Sequence, residues 1–285
     1  LARGSHTWGQ AVMFLGLLPV ALAASAPPFW PHFQGDREVT VLDGTWQYGL
    51  NEDPHFDSMG SIRTSDLRTP NTTAVPSTMD AALPGYPGAR GVGIYRTQFK
   101  QAGAARLQFM SCSFYCRVFL DGEAIADSRS GGYTPFFVDL PKGSGDRELV
   151  VLADNRFNST TAPLHTGGDF WMYGGLIRSV LLHDMPDDGQ VWPWRAHVFP
   201  TSLATVDLNI TLTDPRHSGP VNLTLQFDTS SAPQPTQAQA LAGVVTLRNI
   251  TVPSPRVWGI RKPQLHTVAV TVEGGTVVER FGLRQ

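Results

Sequence analysis

The sequence predicts an all-β protein built as two successive blocks of strands. From about Val39 onward, short runs alternate apolar and polar residues with period two, and no stretch keeps a 3.6-residue period for more than two turns. The 28 Gly and 22 Pro are scattered singly between those runs, as turn punctuation is in sheet proteins and as a helical bundle would not tolerate. At 285 residues the chain can bury a real core in one or two domains without disulfide or metal staples. Its 22 Lys+Arg and 24 Asp+Glu are interspersed and leave a net charge of −2, so no basic field argues for nucleic acid as a partner.

Taken in chain order, residues 1–26 read as a leader containing a secretory signal. Val12 to Ala24 is apolar, too short for the roughly 20 residues of a spanning helix, and is followed by small residues. A buried N-terminal helix is the alternative, and Met13 is an alternative initiator. The clearest strands are Thr45–Leu50, Ile94–Phe99, Arg106–Met110, Cys116–Leu120, Glu148–Ala153, Ser179–His183, Val206–Leu212, Val221–Phe227 and Thr267–Val272. Asp121-Gly122 marks a two-residue hairpin, because a type I′ turn needs positive φ at both central residues. The polar stretch Met185 to Pro193 sets a boundary near residue 188, giving domains over 37–188 and 189–285. The second block has the length and close strand spacing of an immunoglobulin-like β-sandwich, without the paired Cys and buried Trp of antibody domains. Within it the Pro-rich Ser230–Gln239 reads as a surface loop.

Sequons at Asn71, Asn158, Asn209, Asn222 and Asn249 accord with passage through a secretory lumen. Asn209 and Asn222 fall on the polar phase of their strands and should face solvent. Cys112 and Cys116 would lie roughly 13 Å apart on one regular strand, too far to bridge. They read as two small buried residues, with a disulfide left open if the chain bends locally.

Signatures of zinc sites, metalloproteases, serine hydrolases and nucleotide loops are missing from the sequence, and no cofactor or metal is expected. His165 and His183 read as surface or structural residues rather than ligands. Gly91-Val92-Gly93 opens a strand and cannot cradle a phosphate on a helix terminus. Asp53, Asp80, Asp121, Asp139 and Asp146 sit in turn contexts and offer no acid/base pair. The densest cluster runs from His165 to Arg178 and sets Asp169 beside Phe170, Trp171 and Tyr173 among glycines. A carboxylate among rings suits a sugar, whose hydroxyls want charged acceptors and whose C–H faces stack on aromatics. A buried corner in which Asp169 caps a turn and pairs with Arg178 fits the composition equally well.

The motifs LDGTWQYGL (Leu42 to Leu50), VPSTMD (Val75 to Asp80), GVGIYRTQF (Gly91 to Phe99), VFLDG (Val118 to Gly122), GGYTPFFVDL (Gly131 to Leu140), VLADN (Val151 to Asn155) and DFWMYGGLIRSVLL (Asp169 to Leu182), in that order, resemble the N-terminal domain of family 2 glycoside hydrolases. That group holds β-galactosidases, β-glucuronidases and β-mannosidases. In the second block Val257-Trp258, KPQLHTVAV (Lys262 to Val270) and ERFGLR (Glu279 to Arg284) resemble that family's immunoglobulin-like domain and its exit. The spacing from Arg37 to Trp46 and the Asp-Phe-x-x-Tyr-x-Gly pattern lean toward β-glucuronidase-like members, while Gly174-Gly175 and the approach Pro84 to Gly91 also suit galactosidase-like relatives.

The resemblance implies a galactose-binding-like jelly roll followed by an immunoglobulin-like sandwich, with the catalytic (β/α)₈ barrel absent from this chain. In the family both catalytic Glu lie on that barrel, so this chain alone is expected not to catalyse. The resemblance also implies that Asp169 contacts the hydroxyls of the bound sugar, that Tyr173 lines the same rim, and that Arg178 is structural. The expected partner is a β-glycoside, with no membrane span in the mature chain and any homo-oligomer formed through the full-length enzyme. The expected setting is secreted or a secretory-pathway lumen, lysosome-like compartments included. The rival reading is a stand-alone secreted carbohydrate-binding or interaction module without catalysis.

Overall fold

The computed structural model describes residues 35–83, 88–128, 131–157, 173–186 and 189–284. The expected leader over 1–26, His165 and the proposed boundary at 188 lie outside them. The strands are β1 (Val39–Val41), β2 (Gly44–Asn51), β3 (Asn71–Val75), β4 (Val92–Phe109), β5 (Tyr115–Leu120), β6 (Glu123–Ser128), β7 (Phe136–Asp154) and β8 (Val180–Asp184), then β9 (Pro193–Pro200), β10 (Thr205–Leu212), β11 (Gly219–Phe227), β12 (Gln234–Leu241), β13 (Val244–Thr251), β14 (His266–Val272) and β15 (Gly275–Phe281). Among the described residues helix is confined to a 3₁₀ turn at Thr64–Asp66 and to α1 (Met79–Ala82). The architecture is all-β: one eight-stranded sheet that folds into a sandwich, then one seven-stranded sheet.

Two expected strands, Ile94–Phe99 and Arg106–Met110, are one strand, β4, and Glu148–Ala153 is the end of β7. The two pair antiparallel from Val92↔Asp154 to Phe109↔Phe136, with a register shift between Gly103 and Ala105. Before that shift β4 also pairs β2, and after it β4 pairs β8. One long ladder therefore serves both layers. Tyr95, Val118 and Val151 from the first half meet Leu107, Phe109, Val138 and Leu182 from the second in a single core. On the outer face of the first half, Ile94, Phe119, Val150 and Leu152 are covered by Leu67, Phe56 and Ile62. This is why β7 ends in an apolar run: both of its faces are buried there.

Asp121 and Gly122 both have positive φ, as the hairpin requires, though a bulge shifts the β5–β6 register between Val118 and Phe119. Asp139 and Asp146 lie within β7, not in turns, and Asp139 is ion-paired with Arg106. Cys112 and Cys116 form a disulfide. Residues 110–114 leave the sheet between β4 and β5, which brings the two Cα atoms to 6.2 Å, inside bridging range.

In the second sheet Val268, Val270 and Val272 are buried while Thr267, Ala269 and Thr271 are only partly so, as the alternation predicts. The expected loop Ser230–Gln239 is instead largely strand β12, in register with β11 from Gly219↔Ala240 to Leu225↔Gln234. Pro235 is tolerated because pairing of β12 with β13 is confined to Ala240 and Leu241, so no ladder bond on that side needs its missing N–H. β15 closes against β9 at the other edge.

The two sheets meet on Trp194 of β9. Its buried ring lies 4.2 Å from the Arg37 guanidinium and 4.6 Å from that of Arg106, with His183 and Phe137 edge-on at 5.0 Å. Arg106 also donates to the Thr213 carbonyl at 3.0 Å, and the Thr276 amide donates to Asp36 at 2.7 Å. His183 is buried and its Nε2 is 2.9 Å from the Gln108 carbonyl oxygen; burial, then Arg37 and Arg106, lower its pKa to about 3. It is a structural histidine, as expected.

Candidate functional site

Of the two residues singled out for sugar contact, Asp169 lies outside the described residues, and Tyr173 opens the segment that leads into β8. Tyr173 is 45% exposed, whereas the three residues after it are buried. Two glycines make this possible. A Cβ on Gly174 would stand 2.6 Å from the Asn155 side chain. Gly175 has φ +117°, and a Cβ there would stand 2.7 Å from the Tyr95 hydroxyl. The carbonyls of Gly174 and Leu176 accept from the amides of Met79 and Ser77 at 2.9 and 2.8 Å. The backbone is thus drawn onto the core while Tyr173 stays on the rim. Beneath it the Tyr48 and Tyr95 rings are 5.0 Å apart, and burial drives both phenol pKa values up, so neither ionises.

Ser113 holds the other side of this segment. Its amide donates to the Gly175 carbonyl at 3.0 Å, and the Gly175 amide returns a bond to the Ser113 carbonyl at 3.2 Å. The Ser111 and Ser113 hydroxyls both donate to the Gly132 carbonyl. The next residue, Tyr133, is 47% exposed, meets Phe114 edge-on at 5.8 Å, and accepts from Arg178 on its carbonyl at 3.1 Å. Tyr133 and Tyr173 therefore leave the fold on either side of one buried corner. Arg178, itself exposed, ties the segment after Tyr173 to the backbone at Tyr133.

The VLADN motif closes the rim from below. Asn155, wholly buried, accepts from the Gly91 amide at 3.0 Å and donates to the Ala89 carbonyl at 2.8 Å. Arg90 donates to the Asn155 carbonyl at 3.2 Å and lays its guanidinium 4.2 Å over the ring of the exposed Phe157. Asp154, also wholly buried, accepts from Ser58 at 2.7 Å and from Arg156 at 2.5 Å, and its carbonyl accepts from the Phe114 amide at 3.0 Å. The hydrogen bond it donates to Asp154 holds the Arg156 guanidinium above its ordinary pKa. With its oxygens so engaged, Asp154 braces the rim. Sequence reading missed Ser113, Asp154 and Asn155; the available signal was a polar pair ending the apolar run Val150 to Ala153.

What this end of the sandwich presents is a set of exposed rings, Tyr133, Phe157 and Tyr173, on a fixed frame with the guanidiniums of Arg90 and Arg178 close by. Rings stack on sugar C–H faces, and guanidiniums donate to hydroxyl or carboxylate oxygens. Among the described residues no cluster of three or more His, Cys, Asp or Glu could hold a metal ion. No helix among them is long and apolar enough to cross a membrane.

Comparison with solved structures gives the same layout. A GH2 β-galacturonidase from Eisenbergiella tayi bound to galacturonate superimposes with a TM-score of 0.68 at 21% identity, over 87% of this chain and 44% of its own. A β-glucuronidase from Bifidobacterium dentium complexed with coumarin-3-O-glucuronide gives 0.70 at 18%, over 89% and 49%. One from Faecalibacterium prausnitzii gives 0.67 at 23%, over 90% and 48%. The fold is that of one portion of these enzymes. The chain spans under half the length of each structure. No protein-family model matches the sequence, and neither does any curated protein.

Of the sequons, Asn71, Asn222 and Asn249 are exposed. Asn209 is partly exposed, on the open phase of β10 between the buried Leu208 and Ile210, its side-chain oxygen accepting from Thr246 at 3.1 Å. Asn158 lies outside the described residues.

Proposed function

We propose that this chain is the sugar-orienting N-terminal portion of a secreted exo-β-glycosidase of the family 2 type, with the (β/α)₈ barrel and both catalytic Glu contributed by the rest of the enzyme. The observation that carries the proposal is the fold shared with the solved uronidases, together with motifs in the family's order along the same chain. In this reading Asp169 accepts hydrogen bonds from the hydroxyls of the terminal sugar, and the Tyr173 ring lies along its C–H face. A charged hydrogen bond of this kind is worth about 1.5–3 kcal/mol, or roughly 10- to 150-fold in affinity. The chain's contribution is orientation: a sugar held in one pose reaches the acid/base and nucleophile already aligned. Uronides are the first substrates to test, since the matched structures are named for uronide hydrolysis and the rim offers guanidiniums. The exposed sequons and the Cys112–Cys116 bond support a secretory route.

Two measurements test this. A transcript read through the codon for Gln285 should continue in frame into a barrel with an Asn-Glu acid/base and a later Glu nucleophile; a stop codon there would refute the enzyme reading and leave a glycan-binding module. Titration of the chain with methyl β-glucuronide and methyl β-galactoside should show binding that Asp169→Ala weakens at least 10-fold. Equal binding by the variant would remove Asp169 from the site.

A further inference from the structure

The five residues from Cys112 to Cys116 do more than connect β4 to β5. All five are buried, and between them they grip three chain segments distant in sequence. Ser113 exchanges two backbone hydrogen bonds with Gly175, two residues beyond Tyr173. The Ser113 hydroxyl, with that of Ser111, holds the Gly132 carbonyl next to Tyr133. Phe114 takes the Asp154 carbonyl through its amide, one residue before the Asn155 that fixes Ala89 and Gly91. The exposed rings of the rim therefore depend on the conformation of this one short loop, whose two ends are joined by the disulfide.

We propose that the Cys112–Cys116 bond is a positioning clamp for the sugar-facing rim, which locks the Ser113 corner so that the segment from Tyr173 to Ile177 is held in one conformation, and that opening the bond loosens the rim while the sandwich stays folded. The proposal takes the importance of this rim from the function proposed above. Its physical basis is local: cross-linking a short loop removes its alternative conformations, and here those alternatives would release the partners of Gly175 and Gly132. The ladder of β4 and β7 is made by the strands themselves, and β5, which starts within the loop, meets Val151 and Val150 through Val118 and Phe119, beyond the cross-linked Cys116. Opening is a two-electron step in which a dithiol gives up two electrons and two protons. The S–S bond breaks, both cysteines become thiols, and the dithiol closes to its own disulfide. Both sulfurs are buried, so exchange needs a local opening first.

The test is amide hydrogen exchange on the whole chain, wild type against a C112A/C116A variant, since alanine fits two small buried positions. The expected result is at least a 10-fold loss of protection at the Gly175 and Ser113 amides, with Val150 and Val151 in the central ladder unchanged. Wild-type chain reduced with dithiothreitol should lose the same protection and regain it on reoxidation, which the variant cannot do. Protection within twofold of wild type at Gly175 and Ser113 overturns the proposal. So does a loss extending to Val150 and Val151, which would make the bond a general brace. A chain that passes this test yet binds neither methyl glycoside would sink the proposed function alone, because exchange reads the clamp without any ligand.

Discussion

Acid should weaken this fold well before its carboxylates titrate, and His183 sets the size of the effect. The Gln108 side-chain nitrogen is taken up by the Met110 sulfur at 3.0 Å, so its carbonyl oxygen faces His183 and Nε2 must carry the proton of a neutral ring. Protonation would place a third positive charge beside Arg37 and Arg106 in a buried pocket under Trp194. Burial first, then those two arginines, lower the pKa from 6.5 to about 3. The unfolded chain therefore binds a proton that the folded chain refuses between those values, and stability falls as pH falls through that window, by up to about 1.4 kcal/mol per pH unit. From pH 7 to pH 4.5 the loss amounts to about 2.5 kcal/mol. His197, held low by partial burial and by Arg195, adds to the same slope. Asp184 and Glu279, raised chiefly by burial, act in the opposite sense just above the ordinary carboxylate range, but they do so equally in a His183 variant, so the difference between the two proteins isolates His183. Urea unfolding at pH 7, 6, 5 and 4.5 on wild type and His183→Gln measures it. Glutamine can still donate to Gln108 but cannot ionise, so the variant should lose about 2 kcal/mol less than wild type across the range. Parallel slopes in the two proteins would show that His183 titrates as an exposed histidine, and the packing argument would fail with it.

Two further outcomes follow from the same packing. Trp194→Ala removes a buried indole on which two guanidiniums stack and should cost about 4 kcal/mol, splitting one cooperative urea transition into two, whereas Trp194→Phe should keep a single transition; an unsplit transition within about 0.5 kcal/mol of wild type, the ordinary range of a surface change, would deny Trp194 its joining role. Gly175→Ala meets both an unfavourable φ and the Tyr95 hydroxyl and should cost about 2–4 kcal/mol in the same assay, against about 1 kcal/mol for Gly145→Ala, where φ is also positive but nothing lies within 4 Å.

The strands were legible because alternation is a local property: Thr267 to Val272 announces one packed face in six letters, and Asp121-Gly122 announces its own turn. What stayed hidden depends on partners far along the chain. β4 reads as two strands because Gln101 to Ala105 is a run of small residues without alternation, and only its pairing with Leu140 and with Gly143 to Gly145 keeps it extended. β12 reads as a loop because its Pro and Gln suit solvent, yet β11 supplies a ladder on one side. The cysteine spacing rules out a bridge only on a regular strand, and residues 110–114 are not one. At the rim the aromatic cluster drew notice by composition. Its supports did not, because Ser113, Asp154 and Asn155 act through residues some 19 to 96 positions away.

The register shift between Gly103 and Ala105 has a bearing on how such a chain tolerates length changes. In an uninterrupted ladder one inserted residue turns every later side chain to the opposite face. Here the ladder already carries a mismatch at the point where β4 trades β2 for β8 as its second neighbour. That point is also flanked by Gly103 and Gly145, both with open space where a side chain would begin. An insertion or deletion arising there can be absorbed as a larger or smaller bulge, leaving the phase of Tyr95 and Val151 on one side and of Leu107 and Val138 on the other intact. The same change four or five residues further into either arm would invert a face of the core, so drift in the length of this long strand pair is confined by the fold to its middle.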